Sequence, residues 1–120
     1  MIDQQLTYMA SPYSDPDPFN RHLRFLLACH GAAKLIEQGI MIFSPIAHTH
    51  PIKEASGLGG DFATWRAYDE AMIQACPNFI VLCLPGWRTS VGVTAEISYA
   101  RGLGRKIVYV DPQSFKLTTL

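Results

Sequence analysis

The sequence predicts an α/β fold, a three-layer sandwich on a small parallel sheet of the flavodoxin or Rossmann-like type. Short apolar runs that fit buried strands alternate along the chain with longer amphipathic stretches that fit helices. The alternation continues without a repeat, a low-complexity tract or a linker, so we expect residues 1–120 to form a single domain. Right-handed crossovers would then place helices on both faces of the sheet.

The first half of the chain predicts two strands and one helix. Residues 6–10, LTYMA, form the first strand. A helix follows, with Asp17 as its N-cap and Pro18 in its first turn. Gly39 suits the left-handed position that ends a helix. Residues 40–43, IMIF, then form the second strand.

The second half begins with a predicted long loop over residues 44–62. A structureless stretch of that length is usually a lid or a binding loop, and its GLGG sequence favours a lid whose order depends on ligand. Helices follow at about 63–75 and 91–103, on either side of a strand at 79–84. A strand at 106–110 completes a sheet of four strands with three helices.

Composition and charge exclude several classes of function. Ten basic residues balance ten acidic ones without a basic run, so we expect no polymeric nucleic acid partner. No apolar stretch approaches the roughly 20 residues of a membrane span, and the N-terminus lacks the pattern of a signal peptide. Cys29, Cys76 and Cys83 fit buried, reduced thiols. We therefore expect a cytoplasmic protein with a small-molecule partner.

Candidate ligand-binding residues follow the predicted strands, because α/β sheets bind ligands at the carboxyl ends of their strands. Tyr8 and Ser11 come from the end of the first strand and the loop after it. Gly86, Ser90 and Gly92 flank the start of the last helix, where free N–H groups attract anions. Ser90 also fits a plain N-cap role, and the pattern alone leaves both roles open.

Glu96 is the only charge in the segment SVGVTAEISYA. At about 100° per residue it shares a helical face with Val93, Ile97 and Ala100. Helical side chains lean towards the N-terminus, so Glu96 leans over Gly92, which has no side chain. A charge on a packed face is unfavourable unless it is paired or used, and this placement predicts a functional carboxylate.

Asp69 is the second carboxylate on a predicted apolar face. It is four residues from Trp65 and from Ile73, and three from Met72. A helix-dipole or capping role early in its helix is an equally open alternative.

Cofactor signatures are missing from the sequence. The fingerprint GxGxxG is absent after the first strand and Walker A is absent throughout, so we expect no dinucleotide cofactor. His48 and His50 in HTH, two residues apart on a predicted loop, are weak evidence for a metal. We expect neither a metal nor any other cofactor, and we include His48 among the candidate substrate-binding residues.

Three stretches carry a resemblance to a known family: TYMASPYS, YDEAMIQACPNFIVLCLPGW and SVGVTAEISYARGLGRKIV. They resemble the nucleoside 2-deoxyribosyltransferase superfamily over about residues 6–111. The resemblance implies that Glu96 attacks the anomeric carbon of a nucleoside as nucleophile. It further implies that Tyr8 holds this carboxylate and that Asp69 donates a proton to the base or orients it.

Ser90 departs from the transferases of the family, which usually carry Asp at that position to bind sugar hydroxyls. The 2′-deoxynucleoside 5′-monophosphate N-glycosidases, a sister group, also have serine there and use it on the 5′-phosphate. The change removes a charge that would repel phosphate. The resemblance therefore favours a hydrolase of a nucleotide over a transferase of a nucleoside.

Alternative functions stay open at this point. They are a nucleoside 2-deoxyribosyltransferase, a phosphoribohydrolase of the cytokinin-activating type, and a non-catalytic nucleotide-binding module. The segment PGWRTSVGVTAE lacks the PGGxGT pattern of the phosphoribohydrolases. Family transferases often complete a neighbour's site with C-terminal residues, which implies a homo-oligomer, although the end DPQSFKLTTL is short.

Overall fold

The computed structural model describes residues 3–57 and 62–119, which form five strands and four helices. The strands are β1 (Leu6–Ala10), β2 (Met41–Phe43), β3 (Asn78–Leu82), β4 (Ile107–Val110) and β5 (Leu117–Thr118). The helices are α1 (Pro18–Glu37), α2 (Pro45–Ser56), α3 (Phe62–Ala75) and α4 (Val91–Gly102). None of these helices is long and apolar enough to cross a membrane.

The strands form one sheet in the order β2-β1-β3-β4-β5, and β5 alone is antiparallel. This mostly parallel sheet between helices confirms the predicted three-layer α/β fold. The chain runs from β1 to its neighbour on one side, β2, and then returns to its neighbour on the other side, β3. A sheet of this topology has a crevice outside the carboxyl ends of β1 and β3, where ligands bind.

Alternating side chains of the central strands supply the two faces of the core. Tyr8 and Ala10 of β1 lie on the face covered by α3 and α4, with Val93 of α4 in the same buried cluster. Met9 lies on the opposite face, in a cluster that includes Ala28 of α1. Because Tyr8 points towards α3 and α4, its side chain can reach residues that those helices present at the edge of the sheet.

The predicted helix ends carry the expected capping contacts. The Asp17 carboxylate accepts a hydrogen bond of 2.9 Å from the Phe19 amide, and Pro18 is the first residue of α1. Gly39 has φ +87°, a conformation that side chains disfavour. Ser90 caps α4, with its hydroxyl oxygen accepting from the Val93 amide at 3.2 Å. These contacts place the ends of α1 and α4 close to where the sequence predicted them.

The predicted loop over residues 44–62 is wrong, because Pro45–Ser56 form helix α2. Ser44 caps this helix by accepting from the Ala47 amide at 3.2 Å, and Gly57 ends it at φ +67°. Pro51 lies inside the helix and has no N–H to donate to the preceding turn, which disguised the helical pattern. The predicted lid is therefore a helix over most of its length, and residues 58–61, with most of GLGG, lie outside the described part.

The sheet also contains a strand that the sequence did not predict. After β4 the chain turns with the Asp111 carboxylate accepting from the Gln113 and Ser114 amides at 2.9 and 2.8 Å. It then returns as β5, which pairs with Tyr109 and Val110. Two residues are too few for an alternating pattern to show, and the contact depends on the turn.

Candidate active site

A cavity of about 290 Å³ opens at the carboxyl edge of the sheet. Its walls come from the loop after β1, from one face of α2, from α3 and from the first turns of α4. The residues that matter below are Ser11, Tyr13, His50, Lys53, Asp69, Ser90, Gly92 and Glu96. The cavity lies at the position where the strand order predicts a ligand site, close to the lower end of the range for small-molecule pockets.

Glu96 lines the cavity, and its carboxylate is held by a hydrogen bond from Tyr8, which lies outside the lining. Tyr8 is completely buried in the middle of β1, two residues before the predicted strand end, and its ring stacks on Phe79 with centroids 5.6 Å apart. Its hydroxyl donates to Oε2 of Glu96. The predicted meeting of these two groups is confirmed. A fully buried tyrosine hydroxyl needs such a partner, and here the partner is a carboxylate that also lines the cavity.

Gly92 leaves room above Glu96, one turn earlier on α4. A Cβ atom built on Gly92 would meet only the Ser90 hydroxyl, at an ordinary contact distance of 3.9 Å. Gly92, Glu96 and Tyr99 are spaced by four and three residues, so one face of α4 lines the cavity. A ligand can therefore approach the Glu96 carboxylate over Gly92 without displacing a side chain.

The environment of Glu96 favours its neutral form. Burial raises the pKa of the Glu96 carboxyl to about 8, although the hydrogen bond from Tyr8 acts in the opposite direction and the Asp69 carboxylate adds to the rise. Burial also raises the pKa of Tyr8 well above its ordinary value, assisted by the negative charges of Glu96 and Asp69. At neutral pH, Glu96 therefore mostly holds a proton and Tyr8 retains its own.

Asp69 lines the same cavity from α3. Its Oδ1 atom is buried and has no hydrogen-bond partner among the described residues. Burial raises the pKa of Asp69 to about 6. Asp69 lies about two turns into α3, which begins at Phe62, so the capping alternative does not apply. Asp69 and Glu96 therefore line the same cavity, and one carboxylate oxygen of Asp69 has no hydrogen-bond partner among the described residues.

Two serines expected at the site also line the cavity. The Ser11 hydroxyl is buried without a hydrogen-bond partner among the described residues. Ser90 combines both of the roles left open by the sequence, because it caps α4 and also lines the cavity. Its oxygen accepts from the Val93 amide, which leaves its O–H free to donate to a ligand.

Two other expected site residues lie away from the cavity lining. Gly86 is in the turn after β3 at φ +90°, where an added Cβ would approach the Arg24 guanidinium at 3.2 Å. His48 stacks on Tyr68, with ring centroids 5.2 Å apart. The sequence predicts a loop at His48, but the residue lies on α2 and its side chain faces α3.

Tyr13 and His50 line the cavity and were missed as site residues. Tyr13 Oη and His50 Nδ1 lie 2.7 Å apart. The signal that could have found His50 is its spacing with Ile46, Thr49 and Lys53, which occupy one face of a helix at intervals of three and four. That spacing has meaning only if the segment is helical, whereas the sequence predicts a loop there.

The two histidines of HTH contact different partners in the described structure. His50 bonds to Tyr13, whereas His48 packs on Tyr68. Within residues 3–57 and 62–119, no group of three His, Cys, Asp or Glu side chains is arranged to hold a metal ion.

Comparison with protein families identifies the family of the chain. The model of a domain of unknown function, DUF1937, matches residues 5–111, which is most of the chain. No curated protein matches the sequence significantly.

The raised pKa of Glu96 predicts how stability depends on pH. The folded state holds this proton more tightly than the unfolded state, so wild-type stability should fall as pH rises from about 4.5 to about 8. Glu96→Gln removes this dependence. Between pH 6 and 9 the variant should gain about 2 to 3 kcal/mol in unfolding free energy relative to wild type, measured by urea denaturation.

The exposed Glu37 on α1 provides the control for that measurement. Its carboxylate stays in water, so Glu37→Gln should differ from wild type by a constant amount over the same range. If the unfolding free energies of Glu96→Gln and wild type differed by the same amount at every pH, the raised pKa of Glu96 would be contradicted.

Proposed function

The chain belongs to the DUF1937 family, and we propose that it cleaves the N-glycosidic bond of a nucleoside 5′-monophosphate or a nucleoside. The observation that carries this proposal is the hydrogen bond from Tyr8 to Glu96, whose carboxylate lines a cavity that Asp69 also lines. Cleavage of a glycosidic bond needs a carboxylate at the anomeric carbon and a proton for the leaving group. The resemblance to nucleoside 2-deoxyribosyltransferases implies the same roles for these residues.

In the proposed reaction, the Glu96 carboxylate attacks C1′ of the sugar. The Tyr8 hydroxyl holds the carboxylate in place and stabilises its charge, and the space over Gly92 admits the sugar. The C1′–N bond breaks and its electron pair leaves with the base. Water then hydrolyses the glycosyl ester in the hydrolase reaction, whereas a second base would take its place in a transferase.

The two carboxyls share one proton between about pH 6 and pH 8. With pKa values of about 8 for Glu96 and about 6 for Asp69, the pair holds a single proton between these limits, mainly on Glu96. Attack requires Glu96 to be ionised. A bound ligand must therefore favour the arrangement in which the proton has left Glu96, and the Tyr8 hydroxyl already supports that arrangement.

The start of α4 supports a 5′-monophosphate over an unphosphorylated nucleoside. Free N–H groups and the helix dipole favour an anion there, and the Ser90 O–H can donate to it. Lys53 adds a positive charge to the cavity lining. An aspartate at position 90 would place a negative charge at the same point.

We propose a cytoplasmic location for this reaction. Cys29, Cys76 and Cys83 are all free thiols. Burial raises the pKa of each, which keeps them protonated and unreactive. Free, partly buried thiols fit a reducing compartment.

A non-catalytic nucleotide-binding module is the second candidate, and the protonation of Glu96 favours it. A neutral carboxyl near pH 7 can donate a hydrogen bond to a ligand without attacking it. Such a module would bind a nucleotide and release no base.

The first test of the proposal is a mass-spectrometric screen of nucleosides and 5′-monophosphates for release of free base. The wild-type protein should release the base from at least one of them. Glu96→Gln should fold and bind the same compound but lose release, because the amide keeps the shape without the nucleophilic charge. Ligand binding without release by the wild type would leave the binding module, and full activity in Glu96→Gln would exclude the glutamate mechanism.

Gly92→Ala tests whether the sugar passes over Gly92. The added methyl group would be in ordinary contact with the Ser90 hydroxyl, so stability should stay the same or rise by at most about 1 kcal/mol. The kcat/KM for base release should fall at least roughly tenfold, because overpacking a bound ligand costs about 1 to 3 kcal/mol. Gly102→Ala, in open space at the other end of α4, is the matched control and should retain activity.

Ser90→Asp tests the phosphate role of Ser90. Aspartate is also a good N-cap, so α4 should keep its start while gaining a charge that repels phosphate. The ratio of kcat/KM for a monophosphate to that for its nucleoside should fall roughly thirtyfold, equivalent to about 2 kcal/mol. Ser90→Asn caps equally well without the charge and should change the ratio much less. Equal ratios in wild type and Ser90→Asp would favour the transferase.

A further inference from the structure

A chain of three side chains connects the cavity with the protein surface. Tyr13 Oη lies 2.7 Å from His50 Nδ1, and His50 Nε2 lies 3.1 Å from His22 Nδ1. Tyr13 and His50 line the cavity, whereas His22 is exposed on α1. The hydrogen bonds therefore form an unbroken path from ligand space to solvent.

Packing holds the middle of this path in place. His50 is only 3% exposed, and its ring stacks on Phe25 with centroids 4.5 Å apart. Lys53 lies over the Tyr13 ring, with its ammonium 5.4 Å from the ring centroid. Both ring nitrogens of His50 are occupied by hydrogen-bond partners.

The path has two neutral arrangements that differ by the shift of one proton at each step. In the first, His22 Nδ1–H donates to His50 Nε2, His50 Nδ1–H donates to Tyr13 Oη, and the Tyr13 proton points to the cavity. In the second, the Tyr13 hydroxyl donates to His50 Nδ1 and His50 Nε2–H donates to His22 Nδ1.

Conversion from the first arrangement to the second delivers one proton to the cavity. The three side chains stay neutral, because His22 Nε2 takes up a proton from solvent.

The pKa values of His50 and Tyr13 suit neutral carriers. Burial lowers the pKa of His50; the nearby His22, Lys53 and Arg21 act in the same direction and Glu54 acts against it. His50 therefore stays neutral near pH 7. Burial raises the pKa of Tyr13, so its hydroxyl keeps its proton until a ligand takes it.

A proton donor besides the carboxyl pair is needed where Asp69 orients the base and does not protonate it, which is one of the two roles that the resemblance implies for Asp69. A base that leaves C1′ carries away the electron pair of the C1′–N bond and must be protonated. Asp69, with a pKa of about 6, is mostly ionised at neutral pH. The proton on Glu96 sits on the nucleophile, on the side of the sugar that is attacked.

We propose that Tyr13, His50 and His22 form a proton relay that carries a proton from solvent to the departing base. This inference rests on the proposed function, since it supplies the proton of that reaction. As the C1′–N bond breaks, the Tyr13 proton moves to a ring nitrogen of the base and the His50 Nδ1 proton moves to Tyr13 Oη. The His22 Nδ1 proton moves to His50 Nε2, and His22 Nε2 takes a replacement from solvent. Tyr13 is the catalytic residue, and both histidines act through it.

The experiment compares two leaving groups on the same sugar phosphate. One substrate is a purine 5′-monophosphate, whose base must be protonated to leave. The other is the corresponding 4-nitrophenyl glycoside 5′-phosphate, whose phenolate leaves without a proton. Tyr13→Phe should lower kcat at least roughly a hundredfold for the purine and less than about threefold for the nitrophenyl compound. His22→Gln should show the same selectivity with a smaller loss, and added imidazole should restore part of its purine activity.

His30 provides the matched control for His22, because it is also an exposed histidine of α1 but packs on Phe115. His30→Gln should leave both substrates unchanged. Equal losses on both substrates in Tyr13→Phe would overturn the relay and assign Tyr13 a positioning role, and no loss on either would also overturn it. Glu96→Gln should lose activity on both substrates. The proposed function, as distinct from the relay, fails if that variant stays active or if wild type releases neither leaving group.

Discussion

The hydrogen bond between Tyr8 and Glu96 is the constraint on which the site depends. A hydroxyl with no exposure must find a partner inside the protein, and a carboxyl set into a half-closed cavity must find a donor. One contact satisfies both and joins the first strand to the last helix. It also fixes the direction of α4, so Gly92 and Ser90 come to face the same cavity. The cap of a helix thereby becomes part of a ligand site.

The sequence predicted the elements whose ends carry clear chemical signals. Asp17 and Ser90 cap helices as expected, and the strands between those helices were correctly placed to within about two residues. Helix α2 has equivalent signals in Ser44 and Gly57. The sequence does not show this helix, because Pro51 and two polar histidines interrupt its hydrophobic periodicity. The helix packs on α1 and β1, which are distant from it in the sequence. β5 was missed because a two-residue strand exists only through its partner.

The candidate site divides in the same way. Glu96 and Asp69 stood out because a carboxylate on an apolar helical face is unusual within a single stretch of sequence. The pairing of Tyr13 with His50 could not be predicted, because the two residues come from separate segments and meet only when α2 packs beside the loop after β1. The pKa values of the two carboxyl groups could not be predicted from the sequence either. Burial raises the pKa of Glu96 above the pKa of Asp69, and the burial of each group depends on how three helices surround the cavity.

The strand order also determines when this protein can fold during its synthesis. β1 is made first, yet it is an interior strand, and its Thr7 pairs with Asn78, more than half the chain length away. Until β3 has left the ribosome, one edge of β1 has no partner and must stay in water. The Tyr8 hydroxyl has no hydrogen-bond partner until later, because Glu96 is synthesised after β3. Distant parallel pairing of this kind slows folding, so this small domain assembles around its site only when most of the chain has been translated.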